Sequence, residues 1–217
     1  MNMETFKYPR TFHVNWSEHI SDDDKIQHDL SRLIGQDVVI TEKRDGECTT
    51  MVSECVHARS LDSNNHPSRN WVKGLWGDIR HEIPEGWRIC GENLYAKHSI
   101  HYTNLFTYFE VFSIWDENNV CLSWDKTKEW CNLLGLTTVP VLFEGSLDEY
   151  NLDWIKTVLP STLDLTKQEG YVVRLYNEFA FEDFDKCVVK WVRPNHVTTS
   201  KHWSTQPIIK NLLKNED

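Results

Sequence analysis

No apolar run in the chain is long enough to span a bilayer, and nothing after Met1 reads as a secretion signal. No membrane partner and a cytoplasmic setting are therefore expected. There is no CxxC pair and no His-rich metal spacing. The six cysteines (Cys48, Cys55, Cys90, Cys121, Cys131, Cys187) are scattered, as free thiols acting as small hydrophobes would be. Basic charge is also scarce: 23 Lys and Arg against 33 Asp and Glu leave a net charge of −10. That excludes a protein that coats nucleic acid by neutralising many phosphates, but it leaves room for a local basic cleft on an acidic body. Repeats, low-complexity segments and a Pro/Gly-rich linker are all missing, so residues 1–217 are expected to form a single domain.

What is present is a folding composition, with 40% hydrophobic and 12% aromatic residues, enough for a packed core. Ten tryptophans suit a core and also a stacking surface. Strand-like runs fall at 37–41, 49–56, 86–93, 106–115, 170–175 and 187–192. Helical spacing of Ile26, Leu30 and Leu33, after a Ser21 cap, predicts a helix over 25–33. Further helices are expected at 124–134, 147–159 and 207–214. Strands and helices in mixed order give an α+β class.

One stretch breaks the pattern. In "VITEKRDGECTTMV" a buried-looking strand runs straight into a charged cluster, Lys43-Arg44-Asp45-Gly46, before another strand begins. A charged hairpin turn explains such a K-x-D-G cluster on its own. Four strand-associated groups follow in order: Gly91-Glu92-Asn93, Phe109-Glu110-Val111-Phe112, Glu169-Gly170-Tyr171-Val172 and Val188-Val189-Lys190-Trp191. That is too many charged strand residues for solvated faces alone. In "SRNWVKGLWGDIR" cations mix with aromatics as in single-stranded RNA binders, and a tryptophan-bearing loop packed on the core explains it equally.

Taken together, these groups resemble the motifs of the covalent nucleotidyltransferase superfamily of ATP-dependent ligases and mRNA capping enzymes. "TEKRDGECTT", "KYPRTFHVNW", "HARSLDSNNHPSRNWV" and "KWVRPNHVTT" are similar to small phage and bacterial RNA ligases of the RNA ligase 2 type. The resemblance implies an ATP-grasp-like adenylation fold of antiparallel sheets with flanking helices and no OB domain. It implies an ATP-dependent RNA ligase joining 5′-phosphate and 3′-hydroxyl RNA ends through lysyl-AMP. Lys43 would be the nucleophile, with its ammonium form disfavoured by nearby cations or a metal. Asp45, Glu92 and Glu169 would hold Mg²⁺ or Mn²⁺, with Glu92 alternatively on the ribose, and Lys190 would neutralise the α-phosphate. Thr41 and Glu42 would contact the base, and Phe109 would stack on adenine unless it is an ordinary core aromatic. Gly46 would permit a tight turn, and Arg59 would touch phosphate unless it forms a surface salt bridge. Arg69, Lys73 and Arg174 are weaker RNA-contact candidates, and His98, His101 and His196 are triphosphate or RNA candidates.

The sequence departs from the family in the last motif, where a second lysine after Lys190 is missing; Arg193 and Lys186 are the candidates to replace it. A monomer is expected, with an end-healing kinase or phosphatase as a partner. The alternatives are a minimal ATP-dependent DNA ligase and a non-catalytic RNA-end-binding module with the same fold.

Overall fold

A computed structural model describes residues 6–17, 24–61, 65–194 and 207–214. Its strands are β1 (Phe12–Val14), β2 (Ile26–Gln27), β3 (Asp37–Lys43), β4 (Glu47–Met51), β5 (Val56–Ala58), β6 (Arg88–Asn93), β7 (Phe109–Trp115), β8 (Val120–Cys121), β9 (Thr137–Thr138), β10 (Val141–Ser146), β11 (Gly170–Leu175), β12 (Phe179–Ala180) and β13 (Val188–Val192). The main helices are α1 (Asn70–Ile79), α2 (Trp124–Leu133) and α3 (Glu149–Thr157). Among the described residues the strands form two sheets, ordered β10-β3-β11-β13-β1-β2 and β12-β8-β7-β6-β4-β5, with β9 beside β7. The fold is α+β, as expected. The sheets are mixed rather than purely antiparallel, because β1 joins β13 and β2 in parallel and β9 joins β7 in parallel. The long connections into these strands permit the parallel pairing.

Alternation along the central strands builds the architecture. Val38 and Ile40 of β3, Tyr171, Val173 and Leu175 of β11, and Val189 and Trp191 of β13 share one core. The opposite face carries Val39, Thr41 and Lys43, then Val172 and Arg174, then Val188 and Lys190. Val39 is covered there by Trp124 of α2 and by Val139. Beyond it this face stays open, and the second sheet comes to meet it.

Three element expectations fail for local reasons. Residues 25–33 form no helix: Ile26 pairs with His13 at the sheet edge, and the Asp29 carboxylate accepts the Ser31 amide at 2.9 Å, a turn that competes with helix. Ser21 lies outside the described residues. Residues 207–214 run extended, bridging Ala96 through Lys210 and Leu105 through Leu213. Residues 70–79, grouped with a packed loop, are instead α1, with Val72, Leu75, Trp76 and Ile79 packed on the second sheet. The glycines that obscured it, Gly74 and Gly77, fall on the exposed side.

Candidate active site

The two sheets enclose a cleft of about 370 Å³, within the range of small-molecule sites. The first sheet supplies Thr41, Lys43, Val172, Arg174, Val188 and Lys190, and the second supplies Cys48, Glu92, Phe112, Ser113 and Cys121. Register explains the convergence of the lysines. Val172 of β11 lies between Thr41 of β3 and Lys190 of β13, and Gly170 lies opposite Lys43. Lys43 and Lys190 thus share a face two strand spacings and two residues apart, roughly 12 Å between backbones, within reach of two long side chains. Gly170 is required by close approach: a Cβ there would stand 2.1 Å from the Trp191 carbonyl oxygen.

The four residues of Lys43-Arg44-Asp45-Gly46 divide their tasks. Lys43, Arg44 and Gly46 line the cleft, and the Lys43 ammonium pairs there with Glu169. Arg44 donates to both Glu110 oxygens, at 2.6 and 3.1 Å, and to Glu42 Oε1 at 2.6 Å, with its guanidinium 5.1 Å from the Tyr102 ring centre. Asp45 Oδ2 accepts the amides of Ser99 and Ile100 at 2.8 and 2.6 Å, and the Asp45 amide donates to the Tyr102 hydroxyl at 3.0 Å. Gly46 donates its amide to Glu92 Oε1 at 3.0 Å. Its Cβ would meet the Asn93 carbonyl oxygen at 2.6 Å, so packing against β6, not turn conformation, is what demands glycine.

Electrostatics set the lysines apart. Burial acts to lower the Lys43 pKa, but Glu169 and Glu92 outweigh it and hold the ammonium above its ordinary value. The expected depression of Lys43 is therefore reversed in this state. Lys190 is the depressed lysine, pushed down to about 8 by burial and then by Lys43 and Arg10, against Asp24 and Glu169. Glu92 is pushed up to about 8, first by burial, with Glu169 and Asp45 adding and Lys43 and the Gly46 amide opposing.

Several expected roles are redistributed. Among the described residues, no three His, Cys, Asp or Glu side chains are grouped to hold a metal, and the Asp45–Glu92–Glu169 set is not assembled because Asp45 is committed to Ser99 and Ile100. Phe109 is fully buried in the core under α1 and cannot stack on a ligand in the cleft. Phe112, three residues on, lines the cleft instead. Glu42 lines the cleft beside Thr41, and its carboxylate is held by Arg44 and by Gln168 at 2.9 Å. Arg174 is not a solvated RNA contact: it is buried and donates to the carbonyls of Phe112, Leu122 and Leu175. Arg59 lines the cleft, and its Nε donates to the Tyr8 carbonyl at 3.1 Å, so it is no surface salt bridge. Arg69 pairs with Glu47, and Lys73 donates to Asn65 at 2.5 Å; neither lines the cleft. His101 lines a second cavity beyond Glu42 and Arg44, His98 lines neither, and His196 lies outside the described residues.

Neither candidate for the missing lysine reaches the cleft. Lys186 pairs with Asp183 at 3.2 Å, and Arg193 stands beyond Lys190, its amide donating to the Glu169 carbonyl at 2.9 Å. Sequence reasoning missed Phe112, Tyr8, Arg10 and Asp24, all of which line the cleft. Alternation alone does not find Phe112, because it is the extra residue of a bulge in β7, where Cys90 pairs with Ser113 and Gly91 with Val111, and both Phe112 and Ser113 face the cleft.

Comparison with known proteins gives a consistent result. The RNA ligase family profile matches residues 36–192. No curated protein matches the sequence. An archaeal ATP-dependent RNA ligase, in two forms, is similar with TM-scores of 0.58 and 0.59 at 14% identity, over 86% of this chain and 48% of that one. A Naegleria gruberi RNA ligase variant with ATP and Mn gives 0.53 at 15% identity, over 88% of this chain and 60% of that one. The chain spans about half the length of the archaeal structures, and at these identities the likeness concerns the fold. With the family profile matched across the segment from β3 to β13, the chain belongs to the RNA ligase family.

Proposed function

We propose that the chain catalyses ATP-dependent RNA ligation, joining a 5′-phosphate to a 3′-hydroxyl through a lysyl-AMP intermediate on Lys43. The observation that carries this reading is Lys43 in a nucleotide-sized cleft, with Lys190 on the same sheet face and Glu92 and Glu169 beside it. In the first step the Lys43 Nζ lone pair attacks the α-phosphorus. The bond to the bridging oxygen breaks, and pyrophosphate leaves with the electron pair. In the second, a 5′-phosphate oxygen of the RNA attacks the same phosphorus and Lys43 departs as the amine. Attack by the 3′-hydroxyl on the activated 5′-phosphorus then forms the phosphodiester and releases AMP.

Each step is phosphoryl transfer, governed by positioning and charge neutralisation. Lys43 must first lose a proton. Burial favours the neutral amine, and Glu169 is the main group opposing it, so any rearrangement that draws Glu169 away activates the nucleophile. Lys190 supplies positive charge to the phosphate from the same face. Phe112 offers a ring to the base, and Thr41 a hydroxyl beside it. Mg²⁺ or Mn²⁺ accompanying the triphosphate needs only one or two protein carboxylates. Glu92 and Glu169 fit that requirement and Asp45 does not; the ion would add charge neutralisation at the phosphates.

Sealing assays on matched nicked and single-stranded substrates test the reading. Joining of 5′-phosphorylated RNA with ATP is expected. Joining confined to DNA 3′-hydroxyl ends would make it a DNA ligase, and binding of ends without joining would make it a binding module.

A further inference from the structure

Glu42 and Arg44 line two cavities at once. On one side is the cleft with Lys43, and on the other a second cavity of about 360 Å³, so the two share a wall. Two loops supply the remaining walls: residues 101–105, between β6 and β7, and Asp164, Lys167 and Gln168, ahead of β11. The space is ample for one nucleobase.

Both loops are held in place by the protein itself. The Tyr102 amide donates to Asn211 Oδ1 at 2.9 Å, the Leu105 amide donates to the Leu212 carbonyl at 3.1 Å, and the Leu105 carbonyl accepts the Lys214 amide at 2.7 Å. Gln168 is fastened at both ends, its Nε2 donating to Glu42 Oε2 and its Oε1 accepting the Asp164 amide, each at 2.9 Å. Walls already ordered lower the entropic cost of binding.

The charges of the lining cancel. Arg44 is paired with Glu42 and Glu110, and Lys167 with Asp164 at 3.1 Å. What the cavity offers a ligand is neutral. Among the described residues, the exposed Thr103 hydroxyl and Asn104 amide have no protein partner, and they present both donors and acceptors. A nucleobase, a flat ring with donors and acceptors along its edge, matches that set. Next in the chain, Phe106 is 74% exposed, and the Lys214 ammonium stands 5.1 Å from its ring centre. An exposed ring beside a cation suits a single strand, with the ring for a base and the cation for the backbone.

We propose that this second cavity receives one base of the RNA strand beside its reacting end, bound by Thr103 and Asn104, while the strand continues over Phe106 and Lys214. A polymer whose end reacts at Lys43 runs on past the neighbouring walls, and the wall shared through Arg44 leads into the cavity. The inference rests on RNA being the substrate, and it adds a base-binding site outside the ATP cleft.

The test uses the full chain and a short single-stranded 5′-phosphorylated RNA carrying one 4-thiouridine, placed at each position in turn. Irradiation should crosslink one position to residues 101–106 or 164–168, located by mass spectrometry. Asn104→Ala, and an abasic residue at the crosslinking position, should each weaken equilibrium binding of the RNA about tenfold, and the two together no further. The remote, exposed Tyr150→Ala should bind as wild type does. Labelling of Lys43 by α-labelled ATP precedes RNA binding and should be equal in Asn104→Ala and wild type, which also shows that the variant folds. Crosslinks confined to other segments, or losses that add, would overturn the cavity assignment and leave the ligase reading intact. Crosslinking at the cavity by a wild type that never takes AMP would overturn the ligase reading and leave the cavity as an RNA site.

Discussion

Lys43 and Lys190 face the same cleft with their charges set in opposite directions. Glu169 keeps the Lys43 ammonium bound, while burial and neighbouring cations bring Lys190 down to about 8. Lys190 is thus about half protonated near pH 8 and gains its proton fully when a phosphate arrives. Binding of metal-free ATP at pH 8 should therefore be accompanied by proton uptake, read by calorimetry in buffers of different ionisation heat. Lys190→Arg, charged throughout, should remove its share. Glu92, also near 8, is pushed further up by an anion, so Glu92→Gln should remove the remainder. Equal uptake in wild type and both variants would contradict these assignments. The two phenylalanines of β7 separate in the same way. Phe112→Ala should raise the KM for ATP about tenfold through lost stacking. Phe109→Ala should instead cost about 3–5 kcal/mol of stability in denaturant unfolding, because it leaves a core cavity.

At the scale of elements, the turn after Lys43 is fixed from three directions: Glu110 on β7, Glu92 on β6, and the Ser99–Ile100 amides of the loop after β6. That loop is held by the chain's C-terminal segment. Asn211, fully buried, accepts the Tyr102 amide at 2.9 Å and donates to the Leu94 carbonyl at 2.8 Å. Asn211→Ala leaves both partners unsatisfied and should cost about 2–3 kcal/mol in chemical denaturation; a change within experimental error would show the segment to be dispensable. This docking explains where the sequence misleads. Residues 207–214 carry a helical apolar spacing, yet a long-range polar anchor overrides it, and such anchors leave no periodic trace. The central strands were legible because continuous buried runs and alternation are local. The helix α1 was obscured by Gly74 and Gly77, whose exposed positions cannot be known before the face is known. Lys43, Glu92 and Lys190 were legible as the cleft set because the order of their motifs survives in the chain. The backbone amides that hold Asp45 were not legible because they lie more than fifty residues away, and Arg10 was overlooked because only the pairing of β1 with β13 brings it to the site.

On the scale of the whole molecule, two mixed sheets face each other across one cleft, and cations are gathered there on a body with net charge −10. Under the proposed function, such an arrangement would draw an anionic nucleotide inward while the remaining surface repels it, with the local field and not the overall charge governing binding. The proposed roles of Glu169, Lys190 and Phe112 all centre on the Lys43 amine. The decisive measurement is mass spectrometry of the denatured chain after incubation with ATP and Mg²⁺. The account predicts one covalently bound AMP, located on the peptide bearing Lys43 and absent from Lys43→Ala. Wild type without AMP, or AMP persisting on Lys43→Ala, would contradict it.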